Sequence, residues 1–293
     1  MIHRTSLLLL AAFLTFDGTV KVSAFPLPPP ENAHQINQDA QMRQTMGPVT
    51  ENGCSKDMEW KAGKPSFDKD QVAERLTVYN NVWSAQSASG DSRQSVKCNS
   101  YKDGKINWST SLAFTSTNPS LNNQVKSYSN VGWAGKPLKI SLLNTFSSSW
   151  NWSFKAASSD LVADVSYDIF TSLSPTCSGQ GGGCASHEIM IWLVAKGGAA
   201  PAGAKTGKTV SIGSRFTFDV WKGVVGGIPV ISLVPVGGKA YHNFAGDFKP
   251  LLQKELTQFG LDPNEFIATV GSGIEPFTVS ASLTTRPFRK MTC

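Results

Sequence analysis

The chain of 293 residues is poor in what several function classes require. Its four histidines, His3, His34, His187 and His242, are dispersed, and its five cysteines show no spacing that would let them share an ion with those imidazoles. No metal site is expected, and no cofactor. The Lys and Arg residues behind the formal net charge of +6 are scattered, with no stripe of basic and aromatic side chains, which argues against nucleic acid as a partner. No apolar run approaches about 18 residues, so no membrane-spanning helix is expected. Helical periodicity is confined to a single stretch.

What is present begins with an address. His3 and Arg4 precede an apolar run from Leu7 to Leu14, and Val22-Ser23-Ala24 offers small residues for cleavage, the pattern of a secretory signal peptide over 1–24. A soluble, secreted, extracellular protein is expected. Residues 25–53 are rich in Pro, Gln and Asn and poor in aromatics, so they read as a flexible leader that cannot bury enough surface to fold. Residues 54–293 then form one folded domain, expected to be monomeric. Cysteines in a secreted chain call for pairing. Cys54 and Cys98 bracket the start of the folded region, and Cys177 and Cys184 bracket a glycine-rich loop. Each couple is expected to form a disulfide, leaving Cys293 free.

From residue 76 onward, short β-branched and aromatic runs alternate with Gly, Asn, Pro and Ser clusters, which is the rhythm of a sandwich or jelly roll. Strands are expected near 76–83, 106–114, 125–131, 150–154, 161–170, 188–194, 209–212, 216–221, 228–236, 266–271 and 278–284. The exception follows Asp247, which can cap a helix carrying Phe248, Leu251, Leu252, Leu256 and Phe259 on one side and stopping at Gly260. The fold class is all-β, a jelly-roll sandwich of two curved antiparallel sheets with one packed α-helix.

The candidate chemistry lies in two short segments. In His187-Glu188-Ile189-Met190-Ile191-Trp192-Leu193, strand alternation puts Glu188, Met190 and Trp192 on one face and the branched aliphatics on the other. An acid, a thioether and an indole side by side suit the floor of a sugar-binding cleft. A second carboxylate, Glu275, sits in Gly271-Ser272-Gly273-Ile274-Glu275-Pro276-Phe277, where glycines permit close backbone approach and Pro276 stiffens the exit. Two carboxylates in one cleft suggest glycoside hydrolysis.

Five motifs in order carry a family resemblance: Asn80-Asn81-Val82-Trp83, Val125-Lys126-Ser127-Tyr128, Asp164-Val165-Ser166-Tyr167-Asp168-Ile169-Phe170, Glu188-Ile189-Met190-Ile191-Trp192-Leu193 and Glu275-Pro276-Phe277. Over about residues 54–289 the chain resembles glycoside hydrolase family 12, the small endoglucanases and xyloglucanases. The resemblance implies an open groove for a β-1,4-glucan and a retaining mechanism, with Glu188 as nucleophile, Glu275 as acid/base and Asp168 orienting the nucleophile. A retaining enzyme holds its carboxyls about 5 to 5.5 Å apart, and mutual repulsion divides their protonation states. Asn81, Trp83, Met190, Trp192 and Phe277 are the expected substrate contacts, the tryptophans as stacking platforms for pyranose faces. The expected partner is a β-glucan polysaccharide: cellulose, mixed-linkage glucan or xyloglucan.

The chain departs from the family pattern in two places. His187 stands where a tyrosine commonly precedes the nucleophile, and Ile274 where a small hydroxyl residue commonly precedes the acid/base. The alternative function is a glucan-binding jelly roll of weak activity, acting as elicitor or decoy; the matched acid pair speaks against it. Sequons at Asn107 and Asn151 are glycan acceptors if exposed.

Overall fold

The computed structural model describes residues 53–115, 118, 120, 124–177, 183–278 and 281–292. The expected signal peptide, nearly all of the leader, residues 178–182 and Cys293 lie outside the described residues. One sheet joins β1 (Asp57–Lys61), β4 (Ser89–Lys102), β5 (Lys105–Thr115), β16 (Ala281–Thr292), β8 (Ser147–Ala157) and β14 (Asn243–Asp247) in that spatial order. The other runs β11 (Ala204–Ile212), β12 (Phe216–Val225), β13 (Ile228–Pro235), β10 (His187–Lys196), β9 (Val162–Ser172), β15 (Phe266–Thr278), β6 (Ser129–Trp133), β3 (Leu76–Tyr79) and β2 (Lys69–Ala73), with the short β7 (Leu138–Lys139) also paired to β15. The all-β jelly-roll expectation holds. One pair departs from a purely antiparallel sheet: β10 runs parallel to β13, Glu188 level with Val230.

Alternation builds the core between the sheets. Ile189, Ile191 and Leu193 of β10 and Val165, Tyr167 and Ile169 of β9 are fully buried there. Aromatic edges fill the centre: Tyr167 packs against Trp150, Phe244 and Phe248 at ring-centroid distances of 5.5, 5.5 and 5.1 Å. Its hydroxyl is satisfied by Ser148 Oγ at 3.0 Å, as a buried polar tip must be. Because β9 is buried on both faces, its second face, with Asp164, Ser166 and Asp168, is a polar row with little access to water.

The helical stretch differs from expectation in its winding. Residues 249–259 are helical, but the central turn, Leu251–Glu255, is a π turn followed by the 3₁₀ turn Thr257–Phe259. Leu256 N–H reaches back five residues to the carbonyl of Leu251 (2.9 Å). Leu251, Leu252 and Leu256 are all buried in the core, as their spacing along one helical face requires. Asp247 caps it as expected, its carboxylate accepting from Lys249 N–H at 2.9 Å, and it also accepts from Phe146 N–H at 2.8 Å. Gly260 ends it at φ 112°.

Both expected disulfides are present, Cys54–Cys98 and Cys177–Cys184. The two sequon tryptophans, Trp108 and Trp152, point into the core, so Asn151 faces outward and is exposed, while Asn107 is half-buried with its side-chain oxygen accepting from Asn99.

Candidate active site

Three neighbouring strands of the larger sheet, β10, β9 and β15, supply the carboxyls. Glu188 lies on β10 level with Phe170 of β9, and Asp168 sits diagonally from it, level with Met190. On the other side of β9, Glu275 is level with Asp164, and Gly271 with Asp168. Asp168, Glu188 and Glu275 line one cleft. All the expected acidic residues are thus brought together, with Asp164 beside them.

Glycines make the close approach that Glu275 needs. A Cβ at Gly273 would lie 2.3 Å from the Ser129 carbonyl oxygen and 2.9 Å from the Tyr128 ring, and one at Gly271 would lie 2.8 Å from that ring. Bare backbone at both positions lets the Tyr128 ring lie flat across β15, where its hydroxyl donates to the carbonyl of Ser166 at 3.1 Å. Ile274 points the other way and is fully buried in the core, where a small polar residue would leave a gap.

Withdrawal from water dominates the electrostatics. Burial pushes Glu188 up to about 7. It raises Asp164 to about 7 as well, with the Glu188 charge adding to the rise. Asp168 is held well above the usual carboxylate range by burial and then by the charges of Glu188 and Asp164. Glu275 is likewise held well above it, by burial and then by Asp164, Asp168 and Glu188. Four carboxyls within one another's field cannot all ionise near neutral pH.

The apolar contacts sort differently from expectation. Asn81 and Trp83 line the cleft. Asn81 does so from a left-handed turn (φ 48°), its carbonyl accepting from Tyr128 N–H at 3.0 Å, a backbone state that Asn tolerates better than most residues. Trp83 is 44% exposed and offers a ring face. Met190, Trp192 and Phe277 do not line the cleft. They pack with Ala199 and Val230 into a second apolar cluster, and Trp192 is only 1% exposed. Val230 on the parallel neighbour β13, Phe277 at the end of β15 and Ala199 beyond β10 pack against Met190 and Trp192, so this part of the face is closed to substrate.

Residues outside the expected set complete the lining. Phe67, 63% exposed, flanks Trp83 because Ser66 bridges Val82; nothing in its local sequence marks it. Val225, Gly226 and Ile228, at the turn between β12 and β13, form the opposite lip. Gly183 brings the Cys177–Cys184 loop to the rim. His187 turns away from the cleft; its Nδ1 meets Glu265 Oε1 at 2.8 Å, and Thr171 donates to the other oxygen of that carboxylate. Trp60 is buried, stacked on Phe114, and takes no part in the cleft. No cluster of His, Cys, Asp or Glu suited to a metal ion occurs among the described residues.

A family model described as Glycosyl hydrolase family 12 matches residues 74–291. The chain is 36% identical over 206 residues, covering 69% of this chain and 80% of the relative, to xyloglucan-specific endo-beta-1,4-glucanase 1 of Phytophthora nicotianae. It is 33% identical over 219 residues, 74% of this chain and 86% of the relative, to a probable xyloglucan-specific endo-beta-1,4-glucanase A of Aspergillus clavatus. The catalytic domain of Humicola grisea Cel12A, solved with a soaked thio cellotetraose, superposes with a TM-score of 0.67 at 28% identity, covering 80% of this chain and 97% of that one.

Proposed function

The chain belongs to glycosyl hydrolase family 12, and from that premise we propose that it is a secreted, retaining endo-β-1,4-glucanase acting on plant cell-wall glucans. The observation that carries the reading is the convergence of Glu188, Glu275 and Asp168 on one open cleft. The Glu188 carboxylate attacks the anomeric carbon as the bond from that carbon to the leaving oxygen breaks, and the proton of Glu275 passes to the leaving oxygen. Water then attacks the glycosyl-Glu188 ester; Glu275 takes the water's proton, and Glu188 is released as carboxylate. Asp168, beside Glu188, orients the nucleophile and tunes its charge. Trp83 stacks on a sugar ring and Asn81 meets sugar hydroxyls.

Xyloglucan is the first substrate to test, because the two relatives above carry that specificity in their names. Secretion is supported by the N-terminal pattern at 1–24 and by the two disulfides; among the described residues no helix is long and apolar enough to cross a membrane. Residues 54–293 act as one monomeric catalytic domain behind a leader. The test is release of reducing ends from tamarind xyloglucan, barley β-glucan and carboxymethyl cellulose, with proton NMR of the first-formed anomer. Binding without release on all three sinks the enzyme reading, and inversion at the anomeric carbon sinks the retaining one.

A further inference from the structure

Asp164 plays no part in the mechanism just given, yet its setting is unusual for an acid. It is fully buried, and it stands directly opposite Glu275 in the antiparallel register of β9 and β15, so both side chains leave the sheet on the same face. Among the described residues no donor meets hydrogen-bond geometry at either of its oxygens, although Ser166 and Glu275 lie close enough to influence its proton. The other titratable groups around Glu275 offer no balancing charge. Asp168 from β9 and Glu188 from β10 are acids, and Tyr128, entering β6, is a neutral phenol committed to the Ser166 carbonyl. Lys126 is bonded through its backbone N–H to the carbonyl of Pro276, and it sends its ammonium to the carbonyl of Gln124. A buried carboxyl without a cation is tolerated only if it stays neutral or shares its charge with a partner.

We infer that Asp164 is a positioning residue for Glu275: as pH rises it takes the one negative charge this buried pair carries, and so holds the transferable proton on Glu275. The inference rests on the glycosidase reading above and deepens it. No atom is added to the reaction. Glu275 gives its proton to the leaving oxygen and regains one from water, while Asp164 remains ionised beside it, which favours both the return of that proton and its retention before the next turnover. Burial and the charge on Asp164 act on Glu275 in this direction, holding its carboxyl well above the usual carboxylate range.

The test is Asp164→Asn, which keeps the shape and removes the charge. With glutamate labelled by ¹³C at the side-chain carboxyl, the Glu275 resonance, identified by its absence in Glu275→Gln, should titrate roughly one pH unit lower in the variant than in the wild type. The alkaline limb of the kcat/KM profile should move in the same direction and further than the acid limb, because Asp164 stands directly opposite Glu275 and meets Glu188 only through its field. A purely structural role would instead lower melting temperature or activity without moving that limb. Asp164→Ser, equally neutral and smaller, should reproduce the shift and serves if the asparagine variant folds poorly. An unchanged Glu275 midpoint in the folded variants overturns the inference whether or not the wild type degrades glucan. Absence of glucanase activity with a lowered midpoint would sink the functional reading and leave the pairing standing.

Discussion

Asp164 and Glu275 form a direct cross-strand pair between β9 and β15, while Glu188 approaches the same cleft from β10, on the opposite side of β9. A single polar strand edge thus separates, and electrically joins, the two carboxyls proposed to react.

Glu188→Gln should reduce turnover of polymer to background while leaving the fold and glucan binding intact, because volume is kept and only the nucleophile's charge is lost. Glu275→Gln should lose about 10²- to 10⁴-fold on polymer but much less on an aryl cellobioside whose leaving group needs no proton. Steady-state kinetics on both substrate types check this; near-normal polymer activity in either variant refutes the assignment.

The two tryptophans should separate cleanly. Trp83→Ala should weaken binding of long oligosaccharides by about 1 to 2 kcal/mol with little change in melting temperature, as for loss of an exposed stacking ring. Trp192→Ala, in the closed apolar cluster, should cost roughly 3 to 5 kcal/mol of stability. Calorimetric binding beside thermal unfolding distinguishes them, and an exchange of the two patterns would falsify the placement of Trp192 beneath the surface.

The carboxyl cluster predicts a fall in stability with rising pH. Glu188 and Asp164 bind their protons more tightly in the folded chain, at about 7, than in the unfolded chain, near 4. Between those values the folded state holds more protons, so the stabilisation is complete below about pH 4 and is lost as pH rises through about 7. Because the two groups share one field, the loss is on the order of a few kcal/mol rather than the full sum of two shifts. Scanning calorimetry at pH 5 and pH 8 should show the lower melting temperature at pH 8. In Glu188→Gln with Asp164→Asn the difference should shrink, and a persistent full difference would assign it elsewhere.

Replacing Cys177 and Cys184 together by serine should lower stability by about 2 kcal/mol and raise the Michaelis constant for long glucans, since Gly183 of that loop reaches the cleft rim. Loss of stability with an unaltered Michaelis constant would confine the bridge to a protective role.

The sequence made the two cleft carboxyls legible because strand alternation singles out Glu188, the glycine setting singles out Glu275, and motif order points at both, none of which depends on distant packing. The same alternation put Met190 and Trp192 on the Glu188 face correctly. Whether that face lies open is a different matter: it depends on Val230 of β13 and on Phe277, which arrive from further along the chain and pack against Met190 and Trp192. Strand β4 escaped notice because its fourteen residues, from Ser89 to Lys102, are mostly Ser, Gln, Asn, Lys and other polar types, held in the sheet by pairing with β5 and β1. Phe67 carries no pattern at all; a bridge from Ser66 to Val82 brings it beside Trp83. The π turn shares its apolar spacing with an α-helix, and only contact with the core selects between them.

The position of β15 has a consequence for the order of assembly. This strand is inserted between β9 and β6, and Asp164 meets Glu275 across more than a hundred residues of chain. Pairings so remote in sequence form slowly, on a scale of roughly milliseconds to seconds for folds of this kind. Until β15 docks, β9 and β6 each keep an open edge and Glu275, the proposed acid/base, is absent from the cleft. On that proposal, a chain emerging from synthesis gains hydrolytic competence only when β15, followed among the described residues by β16 alone, closes the sheet.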